Sequence, residues 1–279
     1  MPVLPQELID HIIDHVGDRD SLKACSLVCS QWSARSRKHL FVRVDFTSAT
    51  DPERWCACVR PGPSGPSSLV ETLVLSDSDS PPTSRLPSRL HLPIFPNAIS
   101  HFRSFSALRV LMIWERRMTT DRVSSMFHSF GPSLENVTRL TLWHIVIHPA
   151  TFAMFINHFP RLDDLSITSI SLPRVLGPTG DSHRETCVEI VPTHPRGNFR
   201  ATDDFSACRV PKEVFEVITL LEPRFHRVSL TRVSRDMWRD YWPLVDEYAG
   251  SLEELLILVN GTGECRSGLI SISDHMSLT

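Results

Sequence analysis

The stretch VTRLTLWHIVIHPATFAMFINHFPRLDDLSI, residues 137–167, changes its periodicity twice. It opens with Val137-Thr138-Arg139-Leu140-Thr141-Leu142, a short apolar strand behind a small lead-in. From Pro149 to Phe159 the large side chains Phe152, Phe155, Ile156 and Phe159 recur at three- and four-residue steps, which puts them on one helix face. Leu162-Asp163-Asp164-Leu165-Ser166-Ile167 then repeats the strand pattern. Strand, amphipathic helix, strand within about thirty residues is the signature of an α/β unit.

The same line recurs on both sides of this stretch. Leu69 to Leu75, Leu108 to Ile113, Phe225 to Leu230 and Leu252 to Ile257 each approximate L-x-x-L-x-L. Helical candidates follow at Thr120–Phe130, with Val123, Met126, Phe127 and Phe130 on one side, and at Pro211–Leu221, with Val214, Phe215, Ile218 and Leu221. This resembles the strand half of a leucine-rich repeat, whose period is about 20–29 residues. Leu140 to Leu165 is a step of 25 residues, and Leu111 to Leu140 one of 29. Long insertions break the array elsewhere, and the asparagine that usually follows the strand is missing throughout. The expected fold class is α/β, with an irregular leucine-rich-repeat-like solenoid over residues 69–259.

Three segments read as loops. Pro61-Gly62-Pro63-Ser64-Gly65-Pro66-Ser67-Ser68 excludes helix and central strand. Residues 77–93 are rich in Ser, Pro and Arg, and 172–204 carries Pro173, Pro178, Pro192 and Pro195 with one candidate strand at Thr186–Val191. The expected order is a helical segment at 1–46, a linker at 47–68, the repeat region at 69–259 and a tail at 260–279, with a last strand at Leu269–Ile272.

Composition excludes several function classes. With 29 Lys+Arg against 32 Asp+Glu among 279 residues the formal net charge is -3, so there is no basic footprint for nucleic acid and no polybasic membrane patch. Apolar runs such as Val110 to Trp114 fall far short of the roughly 20 residues that cross a bilayer. Glu7, Asp10 and Asp14 interrupt the start of the chain, where a secretory signal would be apolar. Seven scattered cysteines fit reduced thiols, and the expected location is cytoplasmic or nuclear. Without a secretory signal the sequons at Asn136 and Asn260 are expected to carry no glycan.

The N-terminal segment has its own logic. Pro5 opens a helix at a position where its missing N–H costs nothing, and Glu7 complements the helix dipole. Leu8, Ile9, Ile12, Ile13 and Val16 form one apolar stripe, with Asp10, His11 and Asp14 opposite and His15 at its border. Gly17 reads as a C-cap and Asp20 as the cap of a second helix carrying Leu22, Cys25, Leu27, Val28, Cys29 and Trp32. A basic stretch, Arg35, Arg37, Lys38 and His39, precedes a strand over Leu40–Phe46. Apolar residues fall on more than one side of both helices, and about forty residues cannot bury them alone. Some of that surface must be covered by the rest of the chain or by another protein.

Leu4-Pro5, the amphipathic helix after it and Val28-Cys29-x-x-Trp32 together resemble the F-box over about 40 residues. The resemblance implies a three-helix unit that docks the Skp-family adaptor of an SCF-type cullin–RING ubiquitin ligase, leaving the repeat region to hold a protein substrate. The adaptor-facing residues it implies are Leu4, Pro5, Leu8, Ile9, Ile12, Leu27, Val28, Cys29 and Trp32. Two other readings stay open: an interaction scaffold outside any ligase, in which Leu8, Ile12, Val28 and Trp32 pack inside the chain, and a hydrolase-type enzyme with an unrecognised site.

Catalytic and metal motifs argue against the last of these. His11 and His15 have the i, i+4 spacing that grips a metal, but Asp14 replaces the expected Glu and no third ligand follows. Cys25 with Cys29, and Cys56 with Cys58, lack a second pair for zinc. G-x-S-x-G, G-x-x-x-x-G-K-[ST] and G-x-G-x-x-G are all absent from the sequence. The expectation is therefore no catalytic residue, no metal and no cofactor, with function by binding alone. Arg109, Thr141, Trp143, Ser166 and Ser229 sit at the outward strand positions that such repeats use for partners.

Overall fold

The computed structural model describes residues 4–76 apart from 49, 61, 63 and 64, and residues 102–172 apart from 115 and 116. Beyond these it describes 204–208, 211, 214, 216–218, 227–233, 242, 246, 254–259 and 267–270. The expected loop at 77–93, most of that at 172–204 and the candidate strand Thr186–Val191 lie outside the described residues. The chain divides into two compact units, residues 1–111 with 125–136, and residues 112–124 with 137–279.

The first unit begins with helices α1 (Gln6–Asp14), α2 (Arg19–Val28) and α3 (Ser30–Phe41). Local chemistry sets their ends differently from the sequence expectation. Helix α1 stops at Asp14 with His15 as its cap, before Gly17 is reached. Asp18, not Asp20, caps α2, its carboxylate accepting from the Ser21 N–H at 2.7 Å. Asp20 lies inside the first turn and pairs with Lys23 at 2.7 Å. Val28 and Trp32 do not share a helix, because Cys29 is fully extended (φ -164°, ψ 174°) and restarts the chain as α3. Helix α3 then runs through Leu40 and Phe41, so the strand expected at Leu40–Phe46 is shortened to β1 (Arg43–Phe46).

Helix α4 (Asp51–Cys58) and a 3-10 turn at Pro66–Leu69 follow. Part of the proline-rich stretch is thus helical after all, because Pro66 stands at the start of the turn, where it donates nothing in any case. Strand β2 (Thr72–Ser76) pairs in parallel with β1. The core of this unit is aromatic. Phe102 stacks on Phe130 at 4.7 Å and meets Phe105 edge-on at 5.8 Å, while Trp55 reaches Phe105 at 5.9 Å. Phe130 ends helix α5 (Thr120–Phe130), and Gly131 turns the chain there with φ +50°, a conformation favouring glycine.

Strand β3 (Val110–Trp114) is followed by the short β4 (Arg117–Met118). The second unit then contains β5 (Arg139–Trp143), β6 (Val146–Ile147), helix α6 (Pro149–Ile156) and β7 (Asp164–Thr168). Next come β8 (Asp204–Cys208), β9 (Arg227–Val233), β10 (Glu254–Val259) and β11 (Ser267–Ile270). Strands β5, β7, β8, β9 and β10 pair in parallel in chain order, and β11 closes antiparallel on β10. The chain is a set of N-terminal helices followed by a mixed α/β region built on a parallel sheet.

The strand leucines line up across this sheet. Leu140 is opposite Leu165, and the same row continues through Phe205, Val228 and Leu255. Leu140, Leu142, Leu165, Ile167, Val228 and Leu230 are all buried, as are Phe152, Phe155 and Ile156 of α6. The strands begin about two residues later than the L-x-x-L-x-L lines because the lead-in is spent on a bridge. The N–H groups of Glu71 and Thr72 both donate to the Val42 carbonyl, those of Arg109 and Val110 to Glu71, and those of Asp163 and Asp164 to Thr138.

The strands β5 and β7 also end alike. His144 (φ 54°) and Ser169 (φ 59°) each turn the chain through the left-handed region, 25 residues apart. The His144 N–H donates to Thr168 O at 2.9 Å, and Ile147 N–H to Ser171 O at 3.0 Å. A second parallel ladder, β4 with β6 and Ser171 beside Val146, runs after these corners.

Phe130, fully buried among Phe102 and Phe105, is the sensitive point of the first unit. Phe130→Ala is expected to cost about 3–5 kcal/mol, measured as a lower urea midpoint of the full chain.

Candidate functional site

The three N-terminal helices divide their apolar residues between an interior and an open face. Ile9 and Ile13 of α1 are 2% and 0% exposed and close a small core with Leu22 of α2. Val16, Trp32 and Leu40 pack partly against it. The stripe read from the sequence as one face is therefore two. Leu8 and Ile12 point out at 50% and 45% exposure, with Leu4 at 50% before them. At the end of α2, Leu27 and Val28 are 85% and 62% exposed, and Pro5 and Cys29 are exposed as well.

Two of the expected adaptor-facing residues move as a result. Ile9 lies inside the helix core, because its α1 position faces Leu22 rather than solvent. Trp32 is half-buried against the same core, so it supports the face rather than standing free on it. Leu4, Pro5, Leu8, Ile12, Leu27, Val28 and Cys29 remain open to solvent. Five exposed aliphatic residues on a unit this small form the kind of surface that a partner covers.

A polar clamp between α1 and α3 was not legible in the sequence. Asp14, the last residue of α1, takes a two-pronged bond from Arg35, with Nε on Oδ1 and Nη2 on Oδ2 at 2.6 Å each. His39 Nε2 donates to the same Oδ1 at 2.7 Å. At the other end of α1 the Gln6 side-chain amide donates to Gln31 O at 3.4 Å. The Arg35 bond first, and the His39 bond second, hold the Asp14 carboxyl well below the usual carboxylate range. The basic stretch on α3 and the acid on α1 are both visible in the sequence, but their 21- and 25-residue separations carry no pattern.

His11 and His15 do lie together, edge to face at 4.4 Å, with the His15 Nδ1 2.8 Å from the His11 carbonyl. One nitrogen of the pair is thereby tied to the helix backbone. Among the described residues no three His, Cys, Asp or Glu side chains gather to hold a metal.

The outward strand positions form a second region. Thr141, Ser166 and Ser229 fall in one register row, through Ser206. Trp143 is 41% exposed, meets Trp114 edge-on at 5.2 Å and stacks on His144 at 5.7 Å. Arg139 pairs with Asp164 at 2.7 Å on the same strands. Arg109 belongs to the other unit, where its guanidinium donates to Leu108 O and Asn136 O. No described helix is long and apolar enough to cross a membrane.

Residues 1–43 match the family model of the F-box domain. No curated protein matches the chain.

The clamp has a pH signature. A carboxylate whose folded pKa is depressed stabilises the fold above its unfolded pKa of about 3.9, and that contribution is lost as pH falls through the folded value. Asp14→Asn is therefore expected to melt lower than the native chain at pH 7. The difference shrinks on acidification below about pH 4, read from melting curves of both chains across pH.

Proposed function

From the premise that residues 1–43 form an F-box domain, we propose that the chain is a substrate-recognition subunit of an SCF-type ubiquitin ligase. F-box domains bind Skp-family adaptors in general. The observation that carries the proposal here is the open aliphatic face of Leu4, Leu8, Ile12, Leu27 and Val28. Each such side chain is worth roughly 1.5–3 kcal/mol when fully buried, less the cost of association. In an isolated chain that surface stays in water.

The α/β region then serves as the substrate holder, as an irregular leucine-rich-repeat-like solenoid. Three features support this. Successive parallel strands join in chain order, the left-handed corners at His144 and Ser169 repeat at the 25-residue step of the strand leucines, and a second ladder accompanies the main one. The outward row of Thr141, Ser166 and Ser229, with Trp143 at its end, is the face offered to the substrate. Ubiquitin transfer falls to other subunits, and this chain acts by binding.

The test is co-purification of the full chain with a Skp-family adaptor. Leu8→Asp, Leu27→Asp is the informative variant, since both residues are exposed and the helix core is left intact. Trp32→Ala would instead loosen that core. The native chain is expected to form a stable complex, and the double variant to bind about a hundredfold more weakly while its melting curve is unchanged. A folded native chain that ignores the adaptor would replace the ligase reading with an interaction scaffold.

A further inference from the structure

The exposed aliphatic side chains lie on two separate helices, and the two groups must be held in one arrangement for a single partner to cover both. Leu4, Leu8 and Ile12 ride on or before α1. Leu27 and Val28 end α2, which passes through Cys29 straight into α3. What fixes α1 against α3 therefore fixes one half of the face against the other.

Two kinds of contact do this. The aliphatic packing of Ile9 and Ile13 with Leu22, Trp32 and Leu40 supplies cohesion. It is non-directional, so it resists separation more than rotation or sliding of α1. The polar contacts are directional. Gln6 to Gln31 joins the starts of α1 and α3, but at 3.4 Å it is at the long end for a hydrogen bond. The Asp14 carboxylate accepts three bonds of 2.6 to 2.7 Å from Arg35 and His39, one helical turn apart on α3. A two-pronged guanidinium–carboxylate pair constrains angle as well as distance.

We propose that Asp14, gripped by Arg35 and His39, is a positioning residue for adaptor docking: it sets the register of α1 on α3 and so aligns Leu8 and Ile12 with Leu27 and Val28. The inference rests on the docking function proposed above. Asp14 itself, its side chain about one third exposed, acts through the aliphatic residues rather than by touching the partner.

The measurement is calorimetric titration of the full chain with a purified Skp-family adaptor, at a temperature below the melting point of every variant used. Asp14→Asn is expected to raise Kd about tenfold. Arg35→Lys, which keeps the charge but loses the fork, is expected to raise it about threefold and serves as the deciding variant if Asp14→Asn does not fold. In a Leu8→Ala background the effect of Asp14→Asn should be markedly smaller, because less α1 surface remains to be placed; a purely structural role would leave it the same size. A native chain that binds, with both clamp variants within about twofold of it, overturns the positioning role and leaves the docking function standing. A native chain that does not bind the adaptor overturns the docking function itself.

Discussion

Helix α1 carries more aliphatic residues than its neighbours can cover, and that excess organises the N-terminal unit. Ile9 and Ile13, four residues apart, meet Leu22, Trp32 and Leu40 and are fully used. Leu8 and Ile12 have the same spacing one position earlier, about 100° around the helix, and are left about half exposed. A helix with apolar residues on two faces needs two partners. Among the described residues one of these faces is covered, and Leu27 and Val28, next to the extended Cys29, are exposed as well.

In the α/β region, by contrast, the described leucines and isoleucines of β5 and β7 are buried. Strands β2, β3 and β7 each begin by spending two N–H groups on one earlier carbonyl, which fixes where the new strand joins. Register then follows, and with it the rows Leu140–Leu165 and Leu142–Ile167 on the covered side. The alternating burial of β5 and β7 leaves Thr141, Trp143, Ser166 and Thr168 on the other side. Parallel strands covered on both faces read as continuous apolar runs. These do not, and β2, buried from Leu73 to Ser76, shows the contrast within the same chain.

What was legible in the sequence depended on whether the deciding contact was local. Each of the six L-x-x-L-x-L lines ends in a strand, because a two-residue apolar period is a local signal. Strand β8, Asp-Phe-Ser-Ala-Cys, lacked that signal and fell in the widest gap of the array. Its place is set by pairing with β7 and β9. Helix ends were misplaced by two or three residues where competing caps lay close together, as with Asp18 and Asp20. At the candidate site the apolar character of Leu8, Ile9, Ile12 and Ile13 was visible, but not which pair turns inward, since that depends on where α3 crosses. The Asp14 clamp is wholly tertiary and left no trace in spacing.

The two polar attachments of α1 explain why so small a unit can present a defined face. An aliphatic core of Ile9, Ile13 and Leu22, fringed by Val16, Trp32 and Leu40, supplies cohesion but little directional constraint. More aliphatic packing in place of the clamp would stabilise the unit at least as well, because an ion pair this open to solvent adds little. It would not fix the rotation of α1. A partner covering both halves of the face gains only if both are in place together, and every degree of freedom frozen beforehand is one that association need not freeze. The clamp, partly open to solvent and so modest in what it adds to stability, is thus better accounted for by orientation than by cohesion.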